Sequence, residues 1–418
     1  MPMAWRIVRA AVVFGVAGVL GLETRGEEMT YGTVRGFLGE HTRVVELSGE
    51  RGARVAVCPE WQGRVMTSTC GGDDGVSFGF VNRSFIEAGK HDPQFNNYGA
   101  EDRMWLSPEG GRFSLWFAPG AAQTLANWHT PPALNAGPYE AASTAGDASC
   151  RMSRRMQLQN ASAARFDLAV TREVRLLGGE DLQRLFGRAA GPMLAGGVRR
   201  VAYETVNSIR NCGPDMHRDD GMVSIWILGM LNAGPETVIV VPYRPGEEES
   251  LGPAVKSDYF GPVPADRLKI LPEAILLRAD GQYRAKIGTS QRRAKNVLGS
   301  VDFASGTLTL VQFTMPDDPT CCDYMNNSWG LDAPAPYSGD VANAYNDGPP
   351  APGVKGMGAF YEIESLSPAA ALGSGQSLTH CHRTLHLQAD RAVLDEIARA
   401  VFGVGLARIE TEMLPGGR

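Results

Sequence analysis

The residues best equipped for acid–base work lie between Phe360 and Asp390, in the run FYEIESLSPAAALGSGQSLTHCHRTLHLQAD. Successive side chains on a strand point to opposite faces. Glu362 and Glu364 therefore share one face, and Tyr361 and Ile363 take the other. In the second run His380, His382, Thr384 and His386 share a face, opposed by Leu385 and Leu387. The small residues of Ala369–Ser377 separate the two runs and cannot pack a core of their own. Neighbouring strands would bring two carboxylates and up to three imidazoles onto one surface. Such a cluster can hold a mutually tuned acid and base. His380-x-His382 with Glu362 or Glu364 also matches a two-histidine, one-carboxylate metal set. H-x-H arises on strands without any metal as well, so no metal and no cofactor is assigned. The competing reading is a polar outer sheet face whose residues only pair with one another.

Two further stretches carry groups suited to sugars, which present polar edges and apolar C–H faces. Asn96–Gly120 sets Glu101, Asp102 and Arg103 beside Trp105 between glycine-bearing turns. Tyr324–Pro350 scatters Trp329, Tyr337 and Tyr345 among Asn326, Asn327, Asp340, Asn343 and Asn346. Asn and Asp at turns commonly serve the backbone, which accounts for Asn346-Asp347-Gly348 but not for the recurring aromatics. Arg284, Lys286, Arg292, Arg293 and Lys295 form a basic concentration that suits an acidic sugar or an anionic polymer. A solvated charged hairpin explains it more simply.

The elements that must position these groups are strands. The chain has 418 residues, 50 of them glycine and 26 proline, a load of turn formers that favours many short strands. Period-two runs occur at Val44–Leu47, Arg54–Cys58, Arg64–Ser68, Phe166–Leu177, Val198–Asn211, Val223–Met230 and Thr237–Val241. Asp280-Gly281 breaks Glu273–Ile287, and Gln282-Tyr283-Arg284 is expected to begin a return strand. Val301–Phe313 folds back around Ser305-Gly306. Only Asp390–Phe402 shows helical spacing, with Val393, Leu394, Ile397 and Val401 on one side and Gly403 closing it. The expected fold is all-β, a large antiparallel sandwich with few short helices.

A net charge of −6 argues against nucleic acid as a partner, and no phosphate-cradling glycine loop is present. Arg6 and Arg9 precede the apolar run Ala10–Leu22, thirteen residues long. That length suits an export signal better than a membrane span. Residues 1–26 are read as a signal peptide or N-terminal anchor, and 27–418 as one sandwich domain of an exported protein. The seven cysteines are odd in number and lack C-x-x-C spacing.

VAVCPEWQGRVMTST at Val55–Thr69, AYETVNSIRNCG at Ala202–Gly213 and FYEIES at Phe360–Ser365 resemble stretches of the galactose mutarotase-like superfamily, the aldose 1-epimerases and their relatives. GAEDRMWLSPEGG and YNDGP are similar to those of exported bacterial proteins grouped near it. The resemblance implies a large β-sandwich that binds a saccharide on a concave face, with the epimerase base falling on Glu362 or Glu364. The superfamily's acid is a mid-chain histidine in an amide-rich context, which neither His129 nor His217 reproduces. His380 or His382 is the expected substitute, with Arg103 holding the sugar. The expected activity is an epimerase-like or lyase-like proton transfer. A glycoside hydrolase pairing Glu101 or Asp102 with Glu362, and a carbohydrate-binding protein without catalysis, are the alternatives.

Overall fold

The structure is a computed structural model and describes residues 30–142, 148–331 and 335–414. The proposed targeting segment at 1–26 lies outside the described residues. Among the described residues there are three antiparallel sheets. The ten-stranded sheet runs, in spatial order, β11 (Leu268–Ile270), β12 (Ala274–Arg278), β10 (Thr237–Pro242), β14 (Val297–Asp302), β15 (Thr307–Phe313), β18 (Ser377–Gln388), β8 (Arg199–Asn211), β7 (Arg165–Leu176), β6 (Ser149–Gln159) and β5 (Glu140–Ala141). The five-stranded sheet runs β13 (Ala285–Thr289), β16 (Ala342–Asn346), β17 (Phe360–Leu366), β9 (Ser224–Asn232) and β4 (Arg103–Ser107). A smaller sheet joins β1 (Val45–Ser48), β2 (Arg54–Cys58) and β3 (Arg64–Thr69). The expected all-β class with large antiparallel sheets is what the chain forms.

The two large sheets close on a common apolar core. Tyr361 and Ile363 of β17, Ile287 of β13 and Ala344 of β16 meet Val201, Tyr203 and Ile209 of β8 and Val311 and Phe313 of β15 there. The far face of the ten-stranded sheet is apolar too, because Leu385 and Leu387 alternate with the histidines of β18 and project outward. The helix Arg391–Phe402 covers them with Leu394, Ile397, Ala398 and Phe402. Leu394, Ile397 and Phe402 each contribute about 1.5–3 kcal/mol by leaving water. Gly299 makes the fit possible, since a Cβ there would stand 2.8 Å from Phe402 Cζ and 2.0 Å from the Thr309 carbonyl oxygen. Gly403, at φ 80°, ends the helix. Helices at Tyr31–His41, Gly179–Ala195 and Leu406–Met413 were not legible from spacing. Among the described residues no helix is long and apolar enough to cross a membrane.

Two expectations about strand order fail. Asp280-Gly281 does not join a hairpin, because β12 lies in the ten-stranded sheet and β13 in the five-stranded one. β17 and β18, consecutive in the chain, likewise lie in different sheets: β17 pairs with β16 and β9, and β18 with β15 and β8.

Candidate functional site

Alternation along β17 sends Glu362 and Glu364 to the face of the five-stranded sheet that turns away from the sandwich core. The register sets Glu362 beside Tyr345 and Met230, and Glu364 beside Asn343 and Leu228. Leu228 in turn lies opposite Arg103. On that face Arg103 Nη2 donates to Glu362 Oε1 at 2.7 Å. Lys286, brought in by β13, donates to both oxygens of Glu364 at 3.0 Å, and Trp226 Nε1 donates to Glu364 Oε2 at 2.9 Å. All four charged side chains are buried. A third acid, Glu109, accepts a hydrogen bond from Trp128 Nε1 at 2.8 Å.

Three acids thus face two cations at a largely buried site. Burial pulls the Lys286 ammonium down, but Glu364, Glu109 and Glu362 outweigh it and hold it above its usual value. Two of the acids, Glu109 and Glu362, are raised. Burial raises Glu109 against the opposing pull of Lys286 and Trp128. Glu362 is pushed up to about 7: burial dominates, Arg103 opposes it and Glu364 reinforces it. Burial thus moves this carboxyl toward the neutral range in which general acid–base groups work best.

Beside this cluster is a cavity of about 650 Å³ lined by Glu109, Lys286, Tyr259, Phe260, Asn326 and Trp329, among others. Phe260 and Trp329 are 46% and 39% exposed, unusual for rings of that size, and they offer apolar surface next to the charged floor. Tyr259 is pinned by a hydrogen bond from its hydroxyl to Asp340, which also accepts from Asn343 Nδ2 at 3.1 Å.

Of the residues singled out from the sequence, Arg103, Glu362 and Glu364 come together on this face, and Asn326 and Trp329 line the cavity. Trp105 supports them from below, 5% exposed, with the Arg103 guanidinium 4.2 Å from its ring centre. Asp340 and Tyr345 buttress one wall. Phe260 packs edge-on to Tyr345, whose hydroxyl donates to Asp347 Oδ1 at 2.6 Å.

The remainder are placed elsewhere. His380 and His382 point into the sandwich interior, because consecutive strands went to opposing sheets. His380 Nε2 and His382 Nδ1 each lie 2.8 Å from Ser365 Oγ, on the face of β17 opposite Glu362 and Glu364. Burial keeps both imidazoles neutral, down to about 3 for His380 and about 4 for His382. They are not the proton donors expected from the sequence, nor do they form a metal set with Glu362 or Glu364. Glu101 is also interior, accepting from Ser68 Oγ at 2.6 Å and lying 2.9 Å from His386 Nε2. Asp102 pairs with Arg172 and accepts from Thr205 Oγ1 at 3.0 Å. Neither acid can flank a bond with Glu362, which removes the hydrolase pairing. Tyr337 belongs to a separate apolar cluster with Phe113, Met222 and Met325, under Arg218. Asn346 serves the backbone, accepting from Gly281 N at 2.9 Å and donating to the Tyr283 carbonyl at 2.8 Å.

Sequence reasoning missed Lys286 and Glu109 as site members. Lys286 stands in the basic concentration that the sequence reads either as an anion site or as a solvated hairpin, and a lone lysine at an alternating position inside AKIGT marks it as unusual.

Similar solved structures include a putative aldose 1-epimerase from Escherichia coli K12 (12% identity, 83% of this chain and 99% of that one, TM-score 0.47). A GalM/aldose epimerase homologue from C. elegans is similar at 9% identity (84% and 100%, TM-score 0.45), and a putative mutarotase from Salmonella typhimurium at 9% (83% and 90%, TM-score 0.41). Likeness at that level leaves the chemistry of the site to its own residues. No curated protein matches the sequence. The chain belongs to a family of unknown function, DUF6786, which it matches over residues 29–413.

Proposed function

We propose that the protein acts on a saccharide and transfers a proton at a sugar carbon, with Glu362 as the acid–base group. One observation carries the reading: a buried carboxyl, paired with Arg103 and raised by burial toward neutrality, on the same sheet face as a cavity with exposed aromatic walls. Arg103 fixes the orientation of Glu362 and favours its ionised form. Lys286, tied to Glu364, supplies positive charge where an enolate-like oxygen would develop. Glu109 lines the cavity with its own carboxyl raised, and takes the proton-donating role that the sequence had suggested for a histidine. A pyranose fits the chemistry of the walls, its C–H face on Trp329 or Phe260 and its hydroxyls on Asn326, Asn327 and Ser328.

The test follows substrate C–H protons by nuclear magnetic resonance in deuterated water, together with ultraviolet absorbance for an unsaturated product. Acting as a base, Glu362 must be ionised, so the rate is expected to climb as pH passes about 7. Glu362→Gln should lower turnover roughly a hundredfold to ten-thousandfold while ligand binding persists. A second reading, binding without catalysis, draws on how deeply Glu362 is covered, at 7% exposure. It takes precedence if no proton exchanges in the wild-type protein while a saccharide binds.

A further inference from the structure

Resting on the saccharide reading, we infer that the ligand is anionic, a uronate-type sugar whose carboxylate is held by Arg284 and Lys256. Both residues line the cavity. Arg284 directly precedes β13 and by alternation shares a face with Lys286, while Lys256 is bridged to the same strand at Gly288. The three cations thus converge on one wall. Lys286 is occupied by Glu364, but among the described residues neither Arg284 nor Lys256 forms an ion pair. Lys256 Nζ donates to the neutral Ser328 hydroxyl at 2.8 Å and sits 4.2 Å from the centre of the Tyr259 ring. The Arg284 guanidinium stacks 3.9 Å from the centre of the Phe260 ring, and its Nε is buried without a hydrogen-bond partner.

An arginine fork held over an aromatic ring, with a buried N–H unspent, is suited to receive a planar carboxylate in two parallel hydrogen bonds. The acids nearby do not fill that role. Asp347, whose field reaches Tyr345 together with that of Arg284, is engaged by Tyr345 Oη and by the Gly358 N–H. Asp258 lines the cavity but is exposed and joins no ion pair among the described residues. Glu109 is bound to Trp128. Phe260 gives the ring that carries the carboxylate an apolar face to rest on, directly beside the guanidinium.

The experiment measures binding by isothermal titration calorimetry. Its probes are oligogalacturonate and oligoalginate, each against its carboxyl-reduced counterpart, in which CH2OH replaces COO⁻ with the linkage unchanged. The expected result is that at least one acidic oligosaccharide binds more tightly than its reduced form by roughly tenfold to a hundredfold, with affinity falling as salt rises. Arg284→Gln and, separately, Lys256→Gln should erase most of that preference, costing the acidic oligosaccharide at least several-fold more than the reduced one. Arg284→Lys should restore only part of it. Both positions are only partly buried, and two independent variants guard against a local folding defect in either. Equal binding of acidic and reduced forms, or equal losses for both in the variants, overturns this proposal and leaves the saccharide reading intact. Failure of every probe to bind in either form overturns both. Tighter binding of dextran sulfate than of any uronate overturns the carboxylate assignment in favour of a sulfate ester.

Discussion

Replacing Glu362 by Gln tests the central electrostatic claim by a route independent of substrate. A buried carboxyl whose folded value is about 7, against an ordinary 4.5, holds its proton more tightly in the native chain than in the unfolded one. Between those two pH values the native state binds more protons, so stability must fall as pH rises through the interval. At roughly 1.4 kcal/mol per pH unit the loss amounts to about 3 kcal/mol, complete just above neutrality. Glutamine is nearly isosteric with the protonated carboxyl and does not titrate. The variant should therefore match the wild type near pH 4.5 and exceed it by about 3 kcal/mol near pH 8. Denaturant titrations of both proteins at matched pH values measure the difference, and titrating groups common to the two chains largely cancel. A difference that stays flat from pH 4.5 to 8 would show that Glu362 does not hold a raised value. A variant that grows relatively weaker toward high pH would show that Arg103 dominates burial, with the folded value below 4.5. Either outcome would remove the basis for assigning Glu362 the acid–base role.

Other outcomes follow from the same geometry. Glu364→Gln leaves the buried Lys286 ammonium without its main compensation and should cost roughly 3–5 kcal/mol in denaturant unfolding. The double variant Lys286→Met/Glu364→Leu should recover much of that loss. Ser365→Ala strands two buried imidazole nitrogens and should cost about 1–3 kcal/mol without altering saccharide affinity, as calorimetry would show. His380 and His382 have folded values below that of an ordinary histidine, so the unfolded chain binds the extra protons and stability declines as pH drops below about 6.5. His380→Gln should flatten that acid limb in denaturant titrations. Trp329→Ala should weaken saccharide binding roughly three- to tenfold with little effect on thermal stability.

The strands and the last helix were readable because each is a local pattern. Period-two alternation gives β17 and β18 nearly to the residue, and Leu394 with Ile397 marks the helix stripe. The direction in which each polar face points was not readable. Neighbouring strands usually pair, and on that premise the histidines of β18 should have met the glutamates of β17. The chain instead crosses from one sheet to the other between Leu366 and Ser377, turning His380, His382 and His386 inward. They are tolerated there because Ser365, Thr309 and Glu101 supply partners, and no local pattern records partners so distant in sequence. Lys286 eluded the reading for a related reason: a lysine looks solvent-bound until Glu364, 78 residues later, is placed against it. Arg103 with Glu362 was legible only as composition, two charged stretches at opposite ends of the chain.

β17 has two polar clients, one on each side. Glu362 and Glu364 serve the charged face, and Ser365 serves the histidine pair behind it. Adding or removing one residue within the strand would exchange its two faces, sending carboxylates against the imidazoles and apolar side chains against Arg103 and Lys286. Both networks would fail in a single step, whereas a point substitution reaches only one of them. Over evolutionary time Phe360–Leu366 should therefore vary by replacement and not by length. Insertions and deletions among relatives should collect on either side of it, in the 348–359 approach and the 367–376 crossover, where backbone can be added without turning a side chain to the wrong layer.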